Sequence, residues 1–392
     1  MPMKTNNNKN IFLYMLFIFF SNLNIMSAFL SLYFSDIGLS LSVISSVFLL
    51  YQATKFIFEI PTGYVADYYG RKVSGLIGMF LAIVSYLILI FMNGNAFIAY
   101  VFVFIQAVGY TFISGSVESL FVDSINREML VRWNAVERVV FYAALALSAL
   151  LGGGVIYNFG YITAIIIDML ALVITTCAIL FMKENFLTEK NREREKGIKK
   201  ERIHFTEEQK RMLTALYLID FANAFSYVGV EDLYALYLQK FDLTSDMIGI
   251  IIALQLVVSS VFGLLTAKLQ KKINKRVLIC CFPLIRVLFT IPIYAFHLNV
   301  WMIPLLYLIQ FSLFTLYAPI KYELFQNNLE HKYRARALSF QSIVISCGAI
   351  LFYGFSSVME IYFSLAVTVT VALVITFLLL TVSTILLKGM NK

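Results

Sequence analysis

Twelve long apolar stretches separated by short polar segments leave this chain few folds to choose from. They run at 11–34, 41–66, 73–92, 96–121, 135–157, 160–182, 211–239, 246–269, 277–297, 299–324, 337–360 and 362–388. Each is long enough to cross about 30 Å of hydrocarbon as a helix rising ~1.5 Å per residue. Hydrocarbon offers backbone N–H and C=O groups no partner, so a helix is the conformation that satisfies them within one stretch. Residues are 60% hydrophobic and 14% charged, which a bilayer accepts and a water-facing surface does not. The expected class is an all-α integral membrane protein with 12 transmembrane helices. Met1 to Asn10 is short and polar, and the stretch that opens at Ile11 is too long for a cleaved leader. Pro61, Pro283 and Pro304 are expected as kinks, which membrane helices tolerate.

The basic residues fix an orientation. Of 31 Lys and Arg, 27 fall in the segments that lie on the same side as the N-terminus. One, Lys240, falls on the other side, and Lys55, Arg286 and Lys321 lie within stretches. This bias puts both termini in the cytoplasm. It also accounts for the net charge of +8 without a nucleic-acid partner. Cys177, Cys280, Cys281 and Cys347 all sit inside apolar stretches, so neither disulfides nor a metal role is expected of them. His204, His297 and His331 show no metal-ligand spacing, and no G-x-x-x-x-G-K-[ST] loop occurs.

The stretches divide six and six around a charged segment containing Glu189-Lys190-Asn191-Arg192-Glu193-Arg194-Glu195-Lys196. Its alternating signs suit a solvated linker or surface helix. The expected units are a six-helix bundle over 1–183, a cytoplasmic linker over 184–210 and a second six-helix bundle over 211–392. Sliding the second half back by 204 residues supports a repeat. Leu30-Ser31-Leu32-Tyr33-Phe34 falls on Tyr234-Ala235-Leu236-Tyr237-Leu238, Gln106 on Gln310, Leu120-Phe121 on Leu324-Phe325 and Arg132 on Arg336. One uninterrupted offset points to two pseudo-symmetric halves related about an axis along the membrane normal.

Between the second and third stretches stands a polar decapeptide, Gly63-Tyr64-Val65-Ala66-Asp67-Tyr68-Tyr69-Gly70-Arg71-Lys72. Asp67 and Arg71 are four apart, so a continuing helical turn places them on one face. Gly63 permits close approach of another helix and Gly70 permits a turn. At the common offset Arg71-Lys72 meets Lys275-Arg276, whereas Asp67 meets Lys271; the second half keeps the basic end and loses the acid.

The pattern G-x-x-x-D-x-x-G-R-K in this place resembles the signature loop of the major facilitator superfamily of secondary transporters. The resemblance implies that fold, two pseudo-symmetric six-helix bundles working by alternating access. It also implies that the loop packs the second helix against the eleventh on the cytoplasmic side, with its Arg paired to an acid at the inner end of the fourth helix. Asp123 stands there, so Gly63, Asp67, Gly70, Arg71, Lys72 and Asp123 are assigned to a gating latch. The run Ser114-Gly115-Ser116-Val117-Glu118-Ser119-Leu120-Phe121-Val122-Asp123-Ser124 is similar to the fourth-helix end of bacterial drug/proton antiporters. Ala149-Leu150-Leu151-Gly152-Gly153-Gly154 resembles their glycine-rich fifth-helix motif but lacks its proline.

Ionisable groups inside hydrocarbon are expensive unless paired or hydrated, so each is a functional candidate. In the resembled family the cavity is lined chiefly by helices one, four, seven and ten. Applied here, that rule selects Glu118, Asp220 and Glu323 as proton or substrate carriers, and Asn22, Asn24, Gln106, Asn223 and Gln310 as uncharged cavity polars. Glu118 lies roughly 7 Å above Asp123 along the helix and is the first choice for a proton carrier. Arg286 is a possible counter-charge to Asp220 or Glu323. Phe221, Phe225 and Tyr227 accompany Asp220 and Asn223 as an aromatic cluster, suited to packing or to an organic cation. Glu231-Asp232 is expected near the outer face in solvent. Lys55 and Glu59, at i and i+4, are expected to pair on the helix surface. Asp168 has no evident partner in the sequence.

These features lead to an expected secondary transporter, not an enzyme, exporting small amphipathic or cationic compounds such as drugs in exchange for protons. The energy source is the proton gradient, with no cofactor and no metal. The partners are the lipid bilayer, protons and a small-molecule substrate, with the protein a monomer in a bacterial cell membrane. A flippase or exporter of a lipid or peptide-like product, or an importer, fits the same loop. A non-transporting receptor or scaffold would tolerate Glu118→Gln and Asp220→Asn without effect.

Overall fold

The computed structural model describes residues 8–125, 127–184, 206–266, 272–327 and 331–388. Linker residues 185–205, His204 among them, and Lys271 lie outside them. The described residues are helical almost throughout: α1 Asn8–Asn22, α2 Ile25–Asp36, α3 Leu41–Tyr69, α4 Arg71–Ile90, α5 Ala96–Ile113, α6 Ser116–Asp123, α7 Arg127–Phe181, α8 Glu207–Asp232, α9 Tyr234–Gln239, α10 Ser245–Leu264, α11 Lys275–Ala295, α12 Met302–Asn327, α13 His331–Tyr362 and α14 Leu365–Lys388. Eleven segments are long and apolar enough to cross a membrane, and one of them, Arg132–Phe181, runs for 50 residues. That segment is two spans meeting at Gly160, whose φ of 78° and ψ of 174° break the helix. The chain reverses there: Glu137 in the first arm meets Tyr14, and Lys183, just past the second, meets Asn10. The expected twelve spans are therefore present. Large apolar side chains such as Phe80, Leu170, Leu254 and Ile385 are exposed along the spans, where lipid replaces water as their neighbour.

Three spans expected to be continuous are broken. The first breaks between α1 and α2, the fourth between α5 and α6, and the seventh between α8 and α9. A break inside hydrocarbon leaves backbone groups that need partners. At the first, the Asn24 side chain accepts from Ser27 N at 3.0 Å, while both Asp168 carboxylate oxygens accept from Ile25 N and Met26 N at 2.7 and 2.8 Å. Asp168 thus caps a helix from across the bundle, and this gives the unaccounted acid its partner. At the second, Gly115 adopts φ 72°, a left-handed conformation that a side chain disfavours. The repeat offset sets Pro319 of α12 against Gly115, so both halves carry a helix-disturbing residue there.

Among the described residues, several hydrogen bonds between the first six spans and the last six lie on the face away from the termini. Ser42 donates to the Ser357 carbonyl, Ser45 to Glu360 at 2.6 Å, and Ser31 to the Asp232 carbonyl at 2.6 Å. Gln239 reaches Asp36 at 2.8 Å on the same face. α7 and α10 cross there through Gly153 and Gly249, whose Cα atoms face one another directly. A Cβ on Gly153 would collide with the Ser245 carbonyl, and one on Gly249 with that of Ala149. Part of the glycine run seen in the sequence is therefore spent on this seam.

Candidate functional site

A cavity of about 610 Å³ lies where the broken first, fourth and seventh spans converge. At its end nearer the termini stand Tyr14, Glu118 and Glu137; Asn22, Asn24, Tyr86 and Gln106 line its middle; Leu30, Phe48 and Asp232 close its far end. Four of the residues selected from the sequence, Asn22, Asn24, Gln106 and Glu118, are in this wall. Asn24 is also a structural cap, and it accepts a hydrogen bond from the Tyr86 hydroxyl at 2.7 Å. Asn22 donates to the Ile18 carbonyl one turn back, at 2.7 Å.

Two acids in the wall were not selected from the sequence. Glu137 lies on the fifth span, ten residues into α7, and its side chain borders the cavity. It accepts from the Tyr14 hydroxyl at 3.2 Å, and Tyr14 in turn stacks on Phe121, ring centroids 4.0 Å apart. Asp232 was expected in solvent with Glu231. Instead the seventh span breaks just after them and they part company: Asp232 accepts from the Tyr353 hydroxyl and borders the cavity, while Glu231 pairs with Arg286 at 3.4 Å. Among the described residues, the lining holds three carboxylates and no Lys or Arg.

The remaining selected residues lie outside this wall and form networks among the last six spans. Arg286 is 1% exposed. Its Nε donates to Gln310 at 2.8 Å, one terminal nitrogen to Asn223 at 3.1 Å and the other to Glu231. The guanidinium lies 3.2 Å from the Tyr227 ring centre and 4.7 Å from that of Phe314, an arrangement that its flat, weakly hydrated head group favours. Asn223 also accepts from Tyr317 at 3.0 Å. Asp220 is buried against Lys321 and accepts from Gln341 at 2.7 Å. Phe221 and Phe225 stack on each other, and Phe225 also meets Phe352 and Phe355. Their placement is that of a packed interface between α8 and α13.

Glu323 sits neither in the cavity nor with Arg286. It pairs with Lys275 at 2.5 Å. The first half has a matching pair, Arg71 with Asp123, also at 2.5 Å. In each case a basic residue opening the third span of a half meets an acid near the terminus-side end of the fourth. The second half therefore kept an acid for its basic loop, on the neighbouring helix and not in the loop.

The decapeptide departs from expectation in two respects. Helix α3 stops at Tyr69 and Gly70 takes φ 108°, ψ 149°, so no continuing turn carries Asp67 and Arg71 on one face. A side chain at Gly63 would meet nothing within 4 Å among the described residues, so no close approach is seen among them there; α3 is hydrogen-bonded to α13 at its other end, through Ser42 and Ser45. Among the described residues, the contacts of Arg71 and Lys72 tie together their own half. Lys72 donates to the carbonyls of Leu180 and Met182 at 2.6 and 3.0 Å, and Glu184 accepts from the backbone N–H groups of Arg71 and Lys72 at 2.8 and 3.1 Å. A carboxylate on those orphan N–H groups also suits the helix dipole. Lys55 makes no ion pair with Glu59 among the described residues; its ammonium stands over the rings of Tyr110 and Tyr51 at 4.3 and 5.2 Å.

The sequence profile of the Major Facilitator Superfamily matches residues 11–353. A bacterial homologue of the iron transporter ferroportin, in an inward-facing state, is similar with a TM-score of 0.77 at 14% identity, over 98% of each chain. A D-xylose–proton symporter gives 0.76 at 11% identity, over 98% of this chain and 97% of its own. A nucleoside transporter gives 0.75 at 11%, over 98% and 99%. At such identities these likenesses speak for the fold alone. No curated protein matches the sequence significantly. With its fold, its helix-bounded central cavity and the profile match over most of its length, the chain is a member of the Major Facilitator Superfamily, a multi-pass secondary transporter and not an enzyme.

Proposed function

We propose that the protein exchanges protons for small amphipathic cations across a bacterial cell membrane, working as a single chain with both termini in the cytoplasm. One observation carries the reading: the cavity is lined by carboxylates and aromatic rings, with no basic side chain among the described residues. Such a wall attracts positive charge and offers π-faces and apolar surface to the body that carries it. Glu118 makes no hydrogen bond or ion pair with the protein among the described residues, so its carboxylate is available to a proton or to a cation by turns. The side of the membrane follows from the basic bias of the loops. With the seam closed away from the termini, the cavity would then face the cytoplasm, the side from which an exporter loads.

Two similar folds belong to a bacterial ferroportin homologue and a bacterial metal transporter. No group of three or more His, Cys, Asp or Glu suited to a metal ion gathers among the described residues, and the aromatic walls favour an organic cation. Purified protein in proteoliposomes, with a pH-sensitive dye inside, tests the reading. Ethidium or tetraphenylphosphonium should drive proton movement, and Glu118→Gln should reduce it at least about tenfold, or ~1.4 kcal/mol of coupling. Absence of cation-dependent proton movement in the wild type would falsify it.

A further inference from the structure

On the basis of that reading, we infer that the cavity is a two-point site for elongated dications. One positive centre rests between Glu118 and Glu137 and the other against Asp232, at opposite ends. The ends are placed by the first span. Tyr14 donates to Glu137, and Ser31 donates to the Asp232 carbonyl. Tyr14 and Ser31 stand 17 residues apart in the first span, and roughly 25 Å at ~1.5 Å per residue sets the scale of the separation. A volume of about 610 Å³ suits a ligand of ordinary small-molecule size.

Each carboxylate keeps acceptor capacity for a ligand. Glu118 has no protein partner among the described residues, Tyr14 occupies one oxygen of Glu137, and Tyr353 occupies one oxygen of Asp232. Lys55 attracts Asp232 electrostatically but makes no ion pair with it, being stacked over Tyr110 and Tyr51. A single cation cannot serve both ends, and leaving negative charge unmatched between protein walls is less favourable than matching it. A second positive centre at the far end removes that mismatch, and the aromatic wall between the ends takes an apolar spacer.

The test uses the full chain in proteoliposomes and two probe series that compete with ethidium: n-alkyl-trimethylammonium ions, and bis-trimethylammonium alkanes of graded spacer length. A two-point site gives the bis-quaternary series an optimum spacer, with affinity about tenfold above the mono-quaternary ion of equal length. Asp232→Asn should bring that ratio to about unity. A bis-quaternary affinity that climbs steadily with chain length overturns the two-point site and leaves the cation reading standing. So does an Asp232→Asn protein that keeps the wild-type ratio. Failure of both series to compete in the wild type removes the cation reading itself. Should Asp232→Asn not insert, the wild-type spacer profile decides alone.

Discussion

The acids of the first six spans and those of the last six are handled differently. In the second set, Asp220 has Lys321, Glu231 has Arg286 and Glu323 has Lys275. In the first set, Glu118 and Glu137 face the cavity without a basic partner among the described residues, and Asp168 is held by backbone N–H groups. An acid paired with a base between helices favours one packing arrangement. A carboxylate on a cavity wall can take up and give back positive charge. The two halves share a fold and a repeat, yet among the described residues the cavity acids come mainly from the first, with Asp232 reaching in from the second; on the proposed reading the chemistry of exchange belongs there. The second half supplies a braced frame.

The sharpest way to break this contrast is Arg286→Met. Removing the cation leaves Glu231 without its counter-charge and deprives Asn223 and Gln310 of a donor. Glu231 is 44% exposed, so the main cost is the hydrogen bonds lost at Asn223 and Gln310, about 1–3 kcal/mol for each buried group left unsatisfied; a clear drop in thermal unfolding temperature in detergent is expected. If Arg286→Met unfolds at the wild-type temperature and only transport stops, Arg286 belongs to the exchange machinery and the contrast fails.

Much of this frame was legible from the sequence, because hydrocarbon demands long apolar helices and marks their ends with charge. The span count, the fold class and the Arg71–Asp123 partnership came from that pattern and the loop it resembles. The breaks did not. Gly115 and the capping Asn24 carry local signals, but the break at Asn24 also depends on Asp168, 143 positions beyond Ile25, and no Gly or Pro stands at the one at Leu233. Glu137 was passed over because it stands on the fifth span, outside the four helices from which cavity residues were selected, and which face of a helix meets a cavity depends on packing. Asp232 and Glu323 were misplaced for a related reason: which face a charged residue takes near a helix end depends on where the helix stops and what packs beside it.

Asp168→Asn gives a smaller and more discriminating effect. The amide keeps one acceptor oxygen for Ile25 N or Met26 N and turns a donor toward the other, so one buried N–H goes unsatisfied. A loss of about 1–3 kcal/mol follows, with cation-driven proton movement preserved in the protein that remains folded. Asp168 is the first-half acid assigned a structural task. Wild-type stability together with lost proton coupling would move it into the exchange set and enlarge the contrast.

The smallest effects on stability belong to the matched pairs near the terminus-side face. The side chains of Arg71 and Asp123 are 37% and 43% exposed, and those of Lys275 and Glu323 36% and 39%. Pairs exposed to this degree contribute at most about 1 kcal/mol, so Asp123→Asn and Glu323→Gln should barely alter unfolding temperature. Their influence belongs to the balance between conformations open on opposite faces. A term of that size shifts a two-state ratio by no more than about fivefold. Distance probes placed across each face would read the shift, and its decline in high salt would identify it as electrostatic. Equal shifts from the two variants would mean that the halves are alike at the gate and differ only in the cavity. A shift from Asp123→Asn alone would extend the asymmetry to the gate, leaving the Lys275–Glu323 pair to brace the second half.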